Sequence, residues 1–320
     1  MEFRRSRYRA LLALALLAAA PAAAQEPPRV VTIIVPYPAG GIGDILPRAM
    51  ADVLGQQTGR SFVVDNKPGA TQTIGARLAA AAKPDGATIF FGSVTSLAIN
   101  PSVKKDLPYD AIKDFEPIAL TFVAPQYLLA RRDLPANSMR ELIDLARRMP
   151  GKLNYASIGP ASSVHLAAEL IKTMAGVDIT HVPYTGSAPA IRDTIAGHVD
   201  FTLTAGGMTY ATQAKVLGVT STTRTSAAPD VPAIAETLPG YEATVWFGFL
   251  APAGTPKEIV GKLATEMKTA ATSGALRERL KAAATDIELT AMMPEEFRGY
   301  IQKEIPHWRA MIKAANIPME

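Results

Sequence analysis

The 320-residue sequence predicts an α/β protein of two domains, and three observations carry that prediction. The first is an alternation of short β-branched apolar runs with amphipathic stretches, the pattern of parallel strands joined by helices. The second is length, since domains run to roughly 100–200 residues each. The third is a Pro-rich joint, Leu107-Pro108-Tyr109-Asp110 to Asp114-Phe115-Glu116-Pro117, after which the alternation begins again.

Along the chain, Val30 to Val35 reads as a strand buried on both faces. Pro36-Tyr37-Pro38-Ala39-Gly40-Gly41 then forces a loop. Asp44 to Gln57 follows as a helix, and Pro47 fixes its start near Gly43 or Asp44, where proline fits the first turn. Strands at Ser61–Asp65 and Ala87–Phe91 flank a helix at Ile74–Ala82. In the second half, strands at Ile118–Val123, Tyr127–Ala130, Leu153–Ser157, Ile179–Pro183, Val199–Thr204 and Val216–Ser221 alternate with helices at Met139–Arg148, Ser163–Met174 and Ala188–Ala196. Ser138 or Asn137 caps the first of these helices and Gly176 closes the second. The chain ends with a strand at Val245–Leu250 and helices at Pro256–Thr272, Ala275–Ala283 and Pro294–Ala315.

Composition excludes several classes. There is no cysteine, hence no disulfide framework, thiolate metal site or cysteine nucleophile. Arg4, Arg5, Arg7 and Arg9 against Glu2 account for +3 of the formal +4, so the body is nearly neutral and unsuited to nucleic acid. The same residues form the basic start of a secretory signal. An apolar run follows from Ala10 to Ala20, then Pro21 and the A-x-A pattern Ala22-Ala23-Ala24 before Gln25. That run is short for about 30 Å of hydrocarbon, so residues 1–24 are expected to be cleaved and the mature chain to work outside the cytoplasm.

Two loops hold candidate chemistry. Ala39, Gly40, Gly41, Ile42, Gly43 and Asp44 join a buried strand to a helix start, where backbone N–H groups attract an anion. Gly41-x-Gly43 with Asp65 imitates a dinucleotide fingerprint, but Leu46 stands at the third glycine position and Pro47 follows it. A tight turn without a ligand is the alternative. Ser157 to Ser163 repeats the arrangement in the other half, with three hydroxyls and no acid in the helix's first turn; plain N-capping is again the alternative. Taken together, the loops would hold the two sides of a small carboxylate. The Gly-x-Ser-x-Gly elbow is missing, and His165, His181, His198 and His307 lack metal-ligand spacing.

Several stretches carry a resemblance. Val35-Pro36-Tyr37-Pro38-Ala39-Gly40-Gly41 with Asp44, Asp65-Asn66-Lys67-Pro68-Gly69-Ala70, Pro84-Asp85-Gly86 and Asn100-Pro101 resemble the Bug family, the extracytoplasmic solute receptors of tripartite tricarboxylate transporters. Leu107 to Asp110, His181 to Gly186, Pro229 to Pro232 and Ala251 to Pro256 do the same, in order, over nearly the whole mature chain. The resemblance implies a periplasmic, two-domain Venus-flytrap receptor of the type II-like kind, monomeric and without cofactor or metal. It would capture a small organic mono- or dicarboxylate in an interdomain cleft and pass it to an integral membrane permease.

By position, the ligand would meet Tyr37, the loop from Ala39 to Asp44, Ser93, Thr95, Ser157, Gly159, Ala161, Ser162, Ser163, His165, Tyr184, Thr204 and Ala205. Pro160-Ala161 departs from the family's frequent Ser-x-Gly-x-Gly pattern and stiffens the second loop. After Leu203-Thr204 the Asp common in the family is missing, which disfavours ligands bearing an ammonium group. Domain 1 is expected from 25–124 plus 226–320 and domain 2 from 125–225. The competing readings are a secreted hydrolase using Ser157, Ser163 or His165, and a periplasmic sensor input with the same cleft.

Overall fold

The computed structural model describes residues 26–283 and 287–314. The expected signal segment, residues 1–24, lies outside the described residues.

The strands form two sheets. The larger, in order β11-β4-β10-β3-β1-β2, takes β1 (Val30–Val35), β2 (Ser61–Asn66), β3 (Thr88–Ser93), β4 (Phe115–Ala124), β10 (Val245–Pro252) and β11 (Glu288–Met292). The smaller, β7-β6-β8-β5-β9, takes β5 (Gln126–Ala130), β6 (Asn154–Ser157), β7 (Thr180–Pro183), β8 (Phe201–Ala205) and β9 (Lys215–Val219). In each sheet a parallel trio is extended by antiparallel strands: β1 pairs in parallel with β2 and β3, and β6 with β7 and β8. Helices α1 (Ile42–Thr58), α2 (Thr73–Ala80), α3 (Asn100–Val103), α7 (Lys257–Thr272) and α8 (Gly274–Ala282) lie between strands of the first sheet in chain order, and α9 (Pro294–Ala314) follows its last strand. Helices α4 (Met139–Arg148), α5 (Ser163–Ala175) and α6 (Ser187–Ile195) lie between strands of the second.

The first core is aromatic. Phe91 stacks on Phe247 with centroids 5.5 Å apart, beside buried Phe90, Phe115, Phe122 and Phe249. The second is built on Tyr155, Phe201, Leu128 and Tyr241.

The chain passes between the sheets twice. The outward crossing runs from Ala124 to Gln126, and the return enters β10 at Val245, which pairs with Ala124. Thr220 ties the two together: its hydroxyl accepts from the Gln126 N–H at 2.8 Å, its N–H donates to the Gln126 carbonyl at 2.9 Å, and its carbonyl accepts from Ala243 N–H. The boundary expected at 226 falls inside a segment whose buried Ile234, Leu238, Tyr241 and Ala243 pack on the second sheet. The next residues, from Val245, belong to β10 of the first sheet.

Other differences are local. Helix α1 starts at Ile42, so Pro47 sits in its second turn, where it forfeits the bond a residue there would make to the Gly43 carbonyl. The π-helical turn Thr95–Ile99, α3 and strand β11 were not expected from the sequence. Thr95–Ile99 is buried on every side and therefore shows no amphipathic period.

Candidate functional site

The first loop is set by Asp44. Its carboxylate accepts from the Gly40 N–H at 3.0 Å, from Arg48 Nε at 2.9 Å and from Asn66 Nδ2 at 2.8 Å. Burial acts to raise this group's pKa, but the bonds from Arg48, Asn66 and Gly40 outweigh it and hold the carboxyl below its usual value. Asp44 thus anchors the loop. Beyond it, the N–H groups of Ile42 and Gly43 precede the first helical bond, Ile45 N–H to Gly41, and have no partner among the described residues. The Tyr37 ring lies flat over Gly43, where a Cβ would come within 2.5 Å of it. Burial pushes the Tyr37 phenol up to about 12, keeping it protonated, and it accepts from Gln72 Nε2 at 2.7 Å. Ser93 is a second hydrogen-bonding neighbour of this phenol.

Gln72 belongs to a segment that sequence reasoning missed as part of the site. Ala70, Thr71 and Gln72 have φ of 46°, 50° and 72°, an unbroken left-handed run after Gly69. Such residues each cost on the order of 1 kcal/mol and persist only where neighbours over-determine them. Here Asn100 donates to the Thr71 carbonyl at 2.8 Å, and Ser93 donates to Gln72 Oε1 at 2.8 Å. A lone glutamine in a polar turn gives no sequence signal of this kind.

The second loop rests on a ring stack. His165 lies over His181 with centroids 4.3 Å apart, and His181 over Tyr155 at 5.0 Å. Ser157 and His181 Nε2 form a hydrogen bond of 2.6 Å, and His165 Nδ1 accepts from the Ala161 N–H at 3.0 Å. Both bonds fix the loop from below. Burial and the neighbouring His165 push the His181 pKa down to about 4. Ser162 caps α5 by accepting from the His165 N–H, and Ser163 N–H donates to Thr95 Oγ1 across the cleft at 3.2 Å. Val164 N–H is left without a partner among the described residues.

Between the loops lie two chambers. The inner one, about 30 Å³, is faced by Ile42, Gly43, Ser93, Ser163, Val164, Ser187, Thr204 and Ala205, with Tyr37 and Ile158 on its wall. At roughly 10–15 Å³ per water, it accommodates about two oxygen-sized groups. The outer one, about 450 Å³, opens past Pro38, Pro68, Thr71, Gly159, Pro160, Pro183 and Tyr184. No charged side chain lines either chamber among the described residues. Thr71 Oγ1 donates to the Pro160 carbonyl at 3.0 Å, joining the halves over the outer chamber.

Of the residues named from sequence, Tyr37, Ile42, Gly43, Ser93, Ser163, Thr204 and Ala205 come together on the inner chamber, and Gly159 and Tyr184 on the outer. Ala39, Gly40, Gly41, Thr95, Ala161 and Ser162 line neither; they shape the loops that do. Ser157 is fully buried, and His165 is bonded to the Ala161 N–H rather than to Ser163. Ile158, Val164, Ser187 and Gln126 are additional wall residues.

The family model described as tripartite tricarboxylate transporter family receptor, TctC, matches residues 46–317. The chain belongs to this family. Among relatives of the receptor, a UPF0065 protein of Pseudomonas sp. (strain P51) is 36% identical over 89% of this chain and 86% of its own length. BugT of Bordetella pertussis is 31% identical over 94% of each. An R. palustris protein solved with adipate matches at TM-score 0.86 and 35% identity, over 90% of this chain and 98% of that one. The periplasmic binding protein BugD matches at TM-score 0.86 and 31% identity, over 92% of this chain and all of that one. For a TctC receptor the two-sheet α/β architecture is that of periplasmic solute-binding proteins, with the loops described above facing each other across the cleft.

Proposed function

We infer that the protein is a periplasmic receptor that captures a small organic carboxylate between its two halves and hands it to an integral membrane permease. The observation that carries this reading is the inner chamber. Unpaired N–H groups of Ile42 and Gly43 at the start of α1 face it from one half, and Val164 N–H at the start of α5 from the other. Two helix N-termini, together with the Ser163 and Ser187 hydroxyls, supply the donors and partial positive charge that one carboxylate needs. The R. palustris relative solved with adipate, and another solved with malate at 29% identity, support the ligand class.

Binding and release, with no bond made, fits a Ser157 hydroxyl buried beneath its loop and bonded to His181. The functional halves are 25–124 with 245–320, and 125–244. They rotate about the paired crossings, and the receptor acts as a monomer after loss of residues 1–24. Among the described residues no helix is long and apolar enough to cross a membrane.

A thermal-shift screen of acids against their matched amides tests the reading, because a ligand of the folded state raises its melting temperature by mass action. A saturable shift with an acid and none with its amide is expected. Equal shifts with both, or turnover of an ester lost on Ser157→Ala, would replace the receptor with another reading.

A further inference from the structure

We propose, building on the carboxylate reading above, that the preferred ligand carries a single carboxylate on an apolar tail, so that dicarboxylates of the same length bind more weakly. The inner chamber supplies donors for one anionic group and is backed by apolar Leu203, Val245 and Phe247. A tail leaving it passes Ile158 and Tyr37, which line both chambers, and enters the outer space. There the walls are the rings of Pro38, Pro68, Pro160 and Pro183.

Three of the polar side chains of this outer space are already engaged, and the remaining one, Thr185, is an uncharged hydroxyl. Thr71 Oγ1 donates to Pro160, Gln72 is bonded to both Tyr37 and Ser93, and Tyr184 OH donates to Asp193 at 2.7 Å. The charge reached through that wall, Asp193, is negative. A second carboxylate here would give up part of its hydration to proline surface without gaining a cation, and even partial desolvation of an unpaired carboxylate is unfavourable. An apolar tail meets the opposite condition, since proline and tyrosine surfaces release water when covered.

The experiment is isothermal titration of the mature chain with two pairs, hexanoate against adipate and benzoate against terephthalate, plus hexanamide and benzamide. In the pair that binds, the monocarboxylate is expected to be tighter by about tenfold or more, with no binding of its amide. A dicarboxylate as tight as or tighter than its partner, with amides silent, would overturn the tail preference and leave the carboxylate site standing. Amides that bind as well as acids, or no binding in either pair, would overturn both. As a second variant, Thr185→Lys places an ammonium on an exposed position of the outer wall. It should narrow the gap between monocarboxylate and dicarboxylate; an unchanged ratio in the folded variant would contradict the geometry.

Discussion

Asp44 shows how one side chain sets the conformation of a loop. Asp44→Ala would leave the Arg48 guanidinium, Asn66 and the Gly40 N–H without their shared acceptor. Losing the acceptor of a partly buried network of this kind costs roughly 1–3 kcal/mol, measurable by urea denaturation, and ligand affinity should fall with it. Because the Asp44 pKa is lowered in the folded state, its contribution is present above the ordinary carboxylate pKa and lost as pH falls through the folded value. Gly43 is the second decisive position. Gly43→Ala brings a Cβ within 2.5 Å of the Tyr37 ring, so the ring must leave the chamber wall. The expected loss of ligand affinity is about tenfold or more, with a small change in melting temperature. The glycine loop and its helix were legible in the sequence because a strand, a Gly-rich break and a helix start follow one another. Asp44's role was not, because an acid at a helix start reads equally well as a ligand contact and as a loop anchor.

At the scale of elements, the two helix N-termini differ in stiffness. The α1 loop turns through glycines, whereas the α5 loop holds Ala161 at φ 53°, where a side chain is strained. Ala161→Gly should therefore raise stability by about 0.5–1 kcal/mol while leaving the Ala161 N–H bond to His165 possible. Calorimetric melting checks this, and a destabilised variant would show that the methyl group packs usefully. The His165–His181–Tyr155 stack gives the same loop a pH dependence. His181 is held neutral by burial and by His165, so its folded pKa lies below its unfolded value. Stability contributed by this group is full above about 6.5 and lost as pH falls toward about 4. His181→Gln should flatten the melting profile across that window. Most strands and helices could be placed from periodicity alone. The turn Thr95–Ile99 and the left-handed run Ala70–Gln72 could not, because burial on all sides and tertiary pinning by Asn100 and Ser93 leave no period to read.

For the whole molecule, the question is how two cores become one binding device. The crossings at 124–126 and 243–245 are tied by the Thr220 hydroxyl and backbone, and the halves meet again at Thr71–Pro160 and Thr95–Ser163. Thr71→Val removes one bond between the halves while keeping the shape, so ligand should leave about three- to tenfold faster with little effect on arrival. Stopped-flow kinetics separates the two rates. The packing of Ala228 to Ala243 was not legible in the sequence, because the stretch is loop-rich and joins the second sheet only through scattered apolar side chains such as Val231, Ile234, Leu238 and Tyr241.

The most direct test of the whole account is a crystal structure of the mature protein with an acid that binds. One carboxylate should lie in the inner chamber, its oxygens about 3 Å from the N–H groups of Ile42 and Gly43 and from the Ser163 hydroxyl. A carboxylate bound elsewhere in the cleft, with those N–H groups facing water, would contradict it.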